Sequence, residues 1–353
     1  MNFGETKTLK IMKIKFFPIL ILSFTLMFSL NLDAQTIKKT KLKHAGYGQK
    51  KFNDAGKKIY IEQFAINYQY IYAKTKKKRG GRQLGGGYLG NAKAALFLGL
   101  GNVNPLELQK ITNNAYQQFI TKLKGKGYTI LTGEDYKNHS YYSKSEILKG
   151  GKPSEYYQGF ISTTPTDVTF INKKRNVFNT TLSTSKSLDG VIVTRVNIMI
   201  PFAENGESQG SRAIGKLLGG IAKVVAKPNL RIGTTKIQTK SKLGFDKINV
   251  IGSYVDFGYK RGLKYQASYK VDLKKEIEIQ GVLPKKKYKA VKVANQDLNG
   301  TQIGNYKVFN VPSAELEKMQ TIKFDSNKYY KGITEGIEYY LGNVTNKFLS
   351  YIK

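Results

Sequence analysis

The chain has 353 residues, 40% of them hydrophobic and 12% aromatic, with 59 lysines and arginines against 24 acids for a formal charge of +35. That apolar content excludes a disordered polymer, and the absence of cysteine excludes a disulfide framework and any thiolate metal site. A charge of this sign and size points to polyanions (nucleic acid, lipopolysaccharide or acidic polysaccharide) or to an anionic membrane surface as partners, unless it merely decorates solvated faces.

In chain order, the first segment reads as an export signal. Lys10, Lys13 and Lys15 form a basic region, Phe16 to Leu30 is an uncharged apolar run, and Ala34 offers a small residue for cleavage, with Met12 as an alternative start. The run is shorter than the roughly 20 residues of a membrane-spanning helix. Residues 1–34 are therefore expected to be a signal peptide. They hold four basic and two acidic residues, so the exported remainder carries +33. Residues 35–56 read as a basic flexible leader and 57–353 as an α/β domain, with a second strand-rich part from about residue 203 as an alternative.

Lys58 to Tyr72 is dense in isoleucine, tyrosine and phenylalanine and predicts one long strand. Gly80 to Gly101 is punctuated by glycine and predicts a loop, with a short helix over Asn91 to Leu98. Asn104 is a natural N-cap, Pro105 suits the first helical turn and Glu107 complements the dipole. Behind them Leu108, Ile111, Ala115, Phe119 and Leu123 recur on one helical face until Gly125 and Gly127. Tyr128 to Leu131 then predicts a short strand, and Thr132 with Asp135 a capping box.

Leu188 to Phe202 is an apolar β-branched run of the kind that fills the centre of a sheet. Ile248 to Tyr259 and Tyr265 to Ile279 alternate as antiparallel strands do. From Ser326 to Lys353 the stripe Ile333, Ile337, Leu341, Val344, Phe348 and Ile352 predicts a helix docked on the sheet. The expected fold class is α/β (α+β): a mixed β-sheet flanked by helices, with an antiparallel C-terminal portion and a docking C-terminal helix.

An early strand, the helix ending in LKGKGYTILTGED and the later strand LDGVIVTRVNI together resemble the α/β domain of the curli secretion channel-like (CsgG-like) envelope protein family, over about Lys57 to Phe202. The resemblance implies an envelope protein, oligomeric and without enzymatic activity. The chain departs from the secretion-channel members in lacking the lipid-modified cysteine. It also shows no pair of amphipathic hairpins of barrel-strand length.

Two glycine motifs invite a nucleotide. GSRAIGKLL (Gly210 to Leu218) matches the phosphate-binding loop in Gly210, Gly215 and Lys216. Leu217 stands where the magnesium-binding hydroxyl belongs, and the preceding strand ends too early. The same stretch also reads as a small-residue helix or mobile loop, and Arg212, Lys216, Leu217, Leu218, Ile221 and Lys223 are candidates for peripheral membrane contact. GGGYLG (Gly85 to Gly90) satisfies the dinucleotide pattern but is separated from the preceding strand by Lys74 to Arg82. A flexible cationic loop fits it better.

No catalytic constellation stands out. His44 and His139 lack a second ligand at metal spacing, the adjacent Glu134 and Asp135 suit a helix dipole, and Asp189 suits a turn. No cofactor is expected. The candidate anion-binding residues are Lys74, Lys76, Lys77, Lys78, Arg79 and Arg82 in one run and Lys285, Lys286 and Lys287 in another. Tyrosine and lysine also interleave over Tyr136 to Lys144 and Tyr254 to Tyr269, a pattern that serves stacking on bases or sugars as well as ordinary packing. Two functions follow: a non-enzymatic secreted or periplasmic envelope protein that works through assembly with envelope proteins or itself, or a cationic module for anionic polymers or membranes.

Overall fold

The computed structural model describes residues 36–353, apart from 79–80, 83–87, 90–91, 174–179, 208–221, 241–245, 274, 293–300, 304–305 and 309–318. At its centre lies a mixed sheet of seven strands. These are β1 (His44–Tyr47), β2 (Lys58–Gln69), β3 (Thr129–Leu131), β4 (Phe160–Thr163), β5 (Ile192–Ile200), β6 (Tyr254–Arg261) and β7 (Tyr265–Asp272). Their order is β4-β2-β5-β6-β7-β1, with β3 beside the start of β2. The pairs β2–β5 and β2–β3 are parallel, whereas β5–β6, β6–β7 and β7–β1 are antiparallel. The fold class is thus the expected one, and every residue of β5, which lies between β2 and β6, is buried.

Two long helices share one face of the fold. Helix α1 (Pro105–Lys124) starts where the sequence says it should, with the Asn104 side chain accepting from the Leu106 N–H and Pro105 in the first turn. Helix α2 (Gly133–Tyr136) is a single turn closed by the Thr132/Asp135 capping box. Helix α3 (Thr181–Ser187) lies against β5 and β6, and helix α4 (Ser326–Leu349) closes the chain. The predicted stripes of α1 and α4 are buried. They meet Ile59, Ile61, Phe64 and Ile66 of β2 and Ile192, Val196, Ile198 and Ile200 of β5 in one core. Rings knit it together: Phe64 meets Tyr116 edge-on at 5.2 Å, and Phe257 stacks on Phe348 at 3.9 Å with planes 7° apart. Each such ring contributes about 1.5–3 kcal/mol by leaving water.

Four sequence expectations change. The leader over 35–56 is built into the fold: Thr36–Lys38 pairs with Ile277–Gln280, β1 pairs with β7, and Leu42 and Phe52 are buried. The strand expected over Lys58 to Tyr72 breaks at Tyr70, after which Ile71–Lys78 runs in a second sheet. The loop and short helix expected over Gly80 to Gly101 are replaced by a strand, Ala92–Leu100. This strand pairs with Ile71–Lys78, with Val291–Lys292 and with Gln320–Ile322, and backbone partners on both edges override the helix preference of its alanines. Finally, Ile248 to Tyr259 divides at Ser253 and Tyr265 to Ile279 divides after Asp272. Asp246–Gly252 pairs outside the central sheet with Thr234–Lys240. Two hairpins do exist, therefore, and each sets a lysine beside an apolar residue: Lys74 lies opposite Leu96, and Lys236 opposite Val250.

The break at Tyr70 has a local cause. Gly159 adopts φ +74°, and its carbonyl accepts from both the Tyr70 and Ile71 N–H groups, while a Cβ at Gly159 would lie 2.4 Å from the Ile71 carbonyl oxygen. The Gly159 N–H in turn donates to Glu155 Oε1 at 2.6 Å. Burial pushes the Glu155 carboxyl up from 4.5 to about 7, against that hydrogen bond. The folded chain then keeps a proton that the unfolded chain releases, so this group's contribution is full below about pH 4.5 and declines as pH rises to 7. Glu155→Gln should gain on the wild type across that window: the difference in Tm widens from pH 4.5 to 7 and levels off above. A difference that stays constant across these pH values would show that Glu155 is an ordinary carboxylate.

Candidate functional site: the half-open polar face of the sheet

The two faces of the central sheet differ in chemistry. Opposite the helical core, the alternate residues are Tyr60, Gln63, Ala65 and Asn67 of β2, Arg195, Asn197 and Met199 of β5, and Tyr254, Asp256 and Gly258 of β6. At one end this face is closed by Tyr142, Ile171 and Leu188 packed on Tyr60 and Val193. At the other, Tyr157 and Ile251 pack on Phe160 and Met199. Between these ends Gln63, Ala65, Tyr254, Asp256, Ser268 and Lys270 remain partly exposed.

A register irregularity organises the closed part. Thr194 pairs with Ile61 and Arg195 with Gln63, so Glu62 is an extra residue in β2. A bulge of this kind re-aims side chains. Here it brings Glu62 beside Arg195, and the two form a buried ion pair through Arg195 Nε and Glu62 Oε2. Thr184 of α3 donates to Glu62 Oε1 at 3.2 Å, and Thr181 donates to Asp256 Oδ2 at 3.0 Å. Helix α3 can sit so close because β6 has glycine at 258, where a Cβ would lie 2.4 Å from Thr181 Oγ1.

Burial works against the charge on Arg195, but the hydrogen bond and charge of Glu62 outweigh it and hold the guanidinium above its usual range. Burial raises Asp256, opposed by Thr181, Arg195 and Lys270. In the open part, Tyr254 donates to Gln63 Oε1 at 3.2 Å, and Lys270 lies 5.6 Å from the Tyr254 ring centre while pairing with Asp272 at 3.0 Å. Further along, Ser162 donates to Asn67 Oδ1 and Asn67 Nδ2 donates to Asn197 Oδ1. The result is a fixed polar floor with an aromatic ring, a lysine and amides at its rim. No group of three or more histidine, aspartate or glutamate side chains at metal-binding spacing occurs among the described residues.

The sequence-predicted site residues fall elsewhere. Lys74, Lys76, Lys77 and Lys78 lie on the strand Ile71–Lys78 and not in the flexible cationic loop expected; Lys74 and Lys76 share one face of it, Lys77 has the other, and Lys76 pairs with Glu207 at 3.4 Å. Arg79 lies outside the described residues, and Arg82 belongs to a two-residue strand paired with Tyr88–Leu89, inside the GGGYLG motif. Lys285, Lys286 and Lys287 are exposed together, with Lys286 5.6 Å from the Tyr288 ring centre. Arg212, Lys216, Leu217, Leu218 and Ile221, and with them the phosphate-loop motif, lie outside the described residues, while Lys223 is exposed. His139 caps a short 3-10 turn by accepting from the Tyr141 N–H, and His44 meets Tyr269 Oη at 2.8 Å. Asp189 takes a left-handed turn conformation at φ +55°.

Glu62 and Arg195 were missed by motif reading. The available signal was the one acid in β2 and the one arginine in β5, each set among residues that are mostly buried. Comparison with protein families, with curated proteins and with solved structures returns no match.

Proposed function

We propose that this chain is an exported, non-enzymatic envelope protein that holds an extended anionic polymer on the open half of its sheet. The observation that carries the reading is the rim of Tyr254, Lys270 and Gln63 beside a floor whose charged groups are already engaged with one another. A ring stacks on a base or sugar, an ammonium holds a phosphate or carboxylate, and an amide reads a hydroxyl. The overall charge of +35 supplies long-range attraction. Glu62 is committed to Arg195 and Asp256 to Thr181, which favours binding over proton transfer.

The test is retention of the mature chain on heparin and on single-stranded DNA at low and high salt, beside Tyr254→Ala with Lys270→Ser. Retention should fall steeply with salt, and the double variant should bind about tenfold more weakly, since one stacked ring is worth about 1–3 kcal/mol. Unchanged binding in the double variant would remove the polymer from this face. Assembly with envelope proteins or with copies of itself is the second reading, favoured by the sheet's exposed edge strand β1. It predicts a defined oligomer in size-exclusion chromatography that is little affected by salt.

A further inference from the structure

The most exposed large apolar side chain described is Leu263, at 88% exposure, at the apex of the turn joining β6 to β7. The apex sequence is Arg261-Gly262-Leu263-Lys264-Tyr265, so one leucine is bracketed by two cations and followed by a tyrosine that is itself 51% exposed. The turn is held in place: Arg261 pairs with Tyr265 across the hairpin, Lys51 Nζ donates to the Lys264 carbonyl at 2.8 Å, and the Arg261 stem packs where a Cβ on Gly190 would be. Beside it, β1 ends on Tyr47, 49% exposed, and leads into the exposed Lys50 and Lys51. Among the described residues nothing covers Leu263.

We propose that this hairpin apex is a membrane-seating tip, which places Leu263 in the headgroup region of an anionic bilayer while Arg261, Lys264, Lys50 and Lys51 meet the lipid phosphates. Two properties of the apex select that partner. A hydrated polyanion satisfies the lysines but gives the leucine no apolar contact, and a neutral apolar surface does the reverse. An anionic bilayer interface accepts both at once, with tyrosine rings at the depth they favour and lysine stems lying along the apolar boundary. Pinning of the turn by Lys51 means that the apex enters without paying to order itself.

The chain contains no tryptophan, so a single introduced indole reports its own surroundings. Leu263→Trp should show blue-shifted, brighter emission with vesicles of equal parts phosphatidylglycerol and phosphatidylcholine, and no shift with phosphatidylcholine alone. Leu106→Trp, at an exposed position on α1, should show none with either. Leu263→Ser should cosediment with the anionic vesicles about tenfold less well than wild type, from the lost apolar contact. Arg261→Ser and Lys264→Ser should each lower it about fivefold. Heparin retention and Tm of Leu263→Ser should match wild type, which separates this surface from the polymer-binding face. An unshifted Leu263→Trp spectrum with anionic vesicles, whether or not the protein sediments with them, overturns the proposal. So does a Leu263→Ser variant that sediments like wild type.

Discussion

Arg195→Leu is expected to lower the free energy of unfolding by about 3–5 kcal/mol, because it strands the Glu62 carboxylate in the interior of the sheet. The guanidinium is the strongest donor that carboxylate has; among the described residues Thr184 then remains, at 3.2 Å. Desolvating a carboxylate costs several kcal/mol, and a single hydroxyl returns a fraction of that. Removing both charges behaves differently. Glu62→Leu combined with Arg195→Leu should recover most of the loss, since neither partner is then left unpaired. The urea midpoints of the two variants measure this directly. A single variant within about 1 kcal/mol of wild type would mean that water reaches Glu62 and that the pair is not buried.

Phe348→Ala should cost a further class of energy, about 3–5 kcal/mol, by emptying the place where the last helix meets the sheet. Phe348 is fully buried, stacks on Phe257 at 3.9 Å, meets Phe52 edge-on at 5.2 Å and lies 6.3 Å from Tyr269. Its neighbours come from the 3-10 turn Gln49–Asp54, from β6 and from β7, and they are anchored by separate elements that cannot all close on a cavity. Phe348→Leu keeps most of the volume and should lose about half as much. The readout is the thermal midpoint of the protein; equal losses for alanine and leucine would show that the ring's shape matters more than its volume.

What could be read from the sequence was whatever local patterning determines. The caps at Asn104 and Thr132 and the stripes of α1 and α4 depend on neighbours a few residues away, and both survive unchanged. The run around Ile192 was legible because its density of isoleucine and valine suits a strand covered on both faces. Ala92–Leu100 was not, because its conformation is decided by backbone partners at 71–78, 291–292 and 320–322, distant in sequence. The candidate site was illegible for a similar reason. Glu62 and Arg195 are 133 residues apart and become neighbours only through parallel pairing and one extra residue in β2. The lysine run from 74 is more conspicuous in the sequence, yet it lies on a strand of another sheet, with Lys76 paired to Glu207.

The parallel pairing of β2 with β5 has a kinetic consequence. More than a hundred residues must be delivered before the two central strands can meet, and Phe348 fills the core from within the last turn of the last helix. Closing such large loops is slow, on the order of milliseconds to seconds for topologies dominated by distant contacts. An interior that needs Phe348 beside Phe257 and Phe52 stays unsealed until that helix has docked on the sheet.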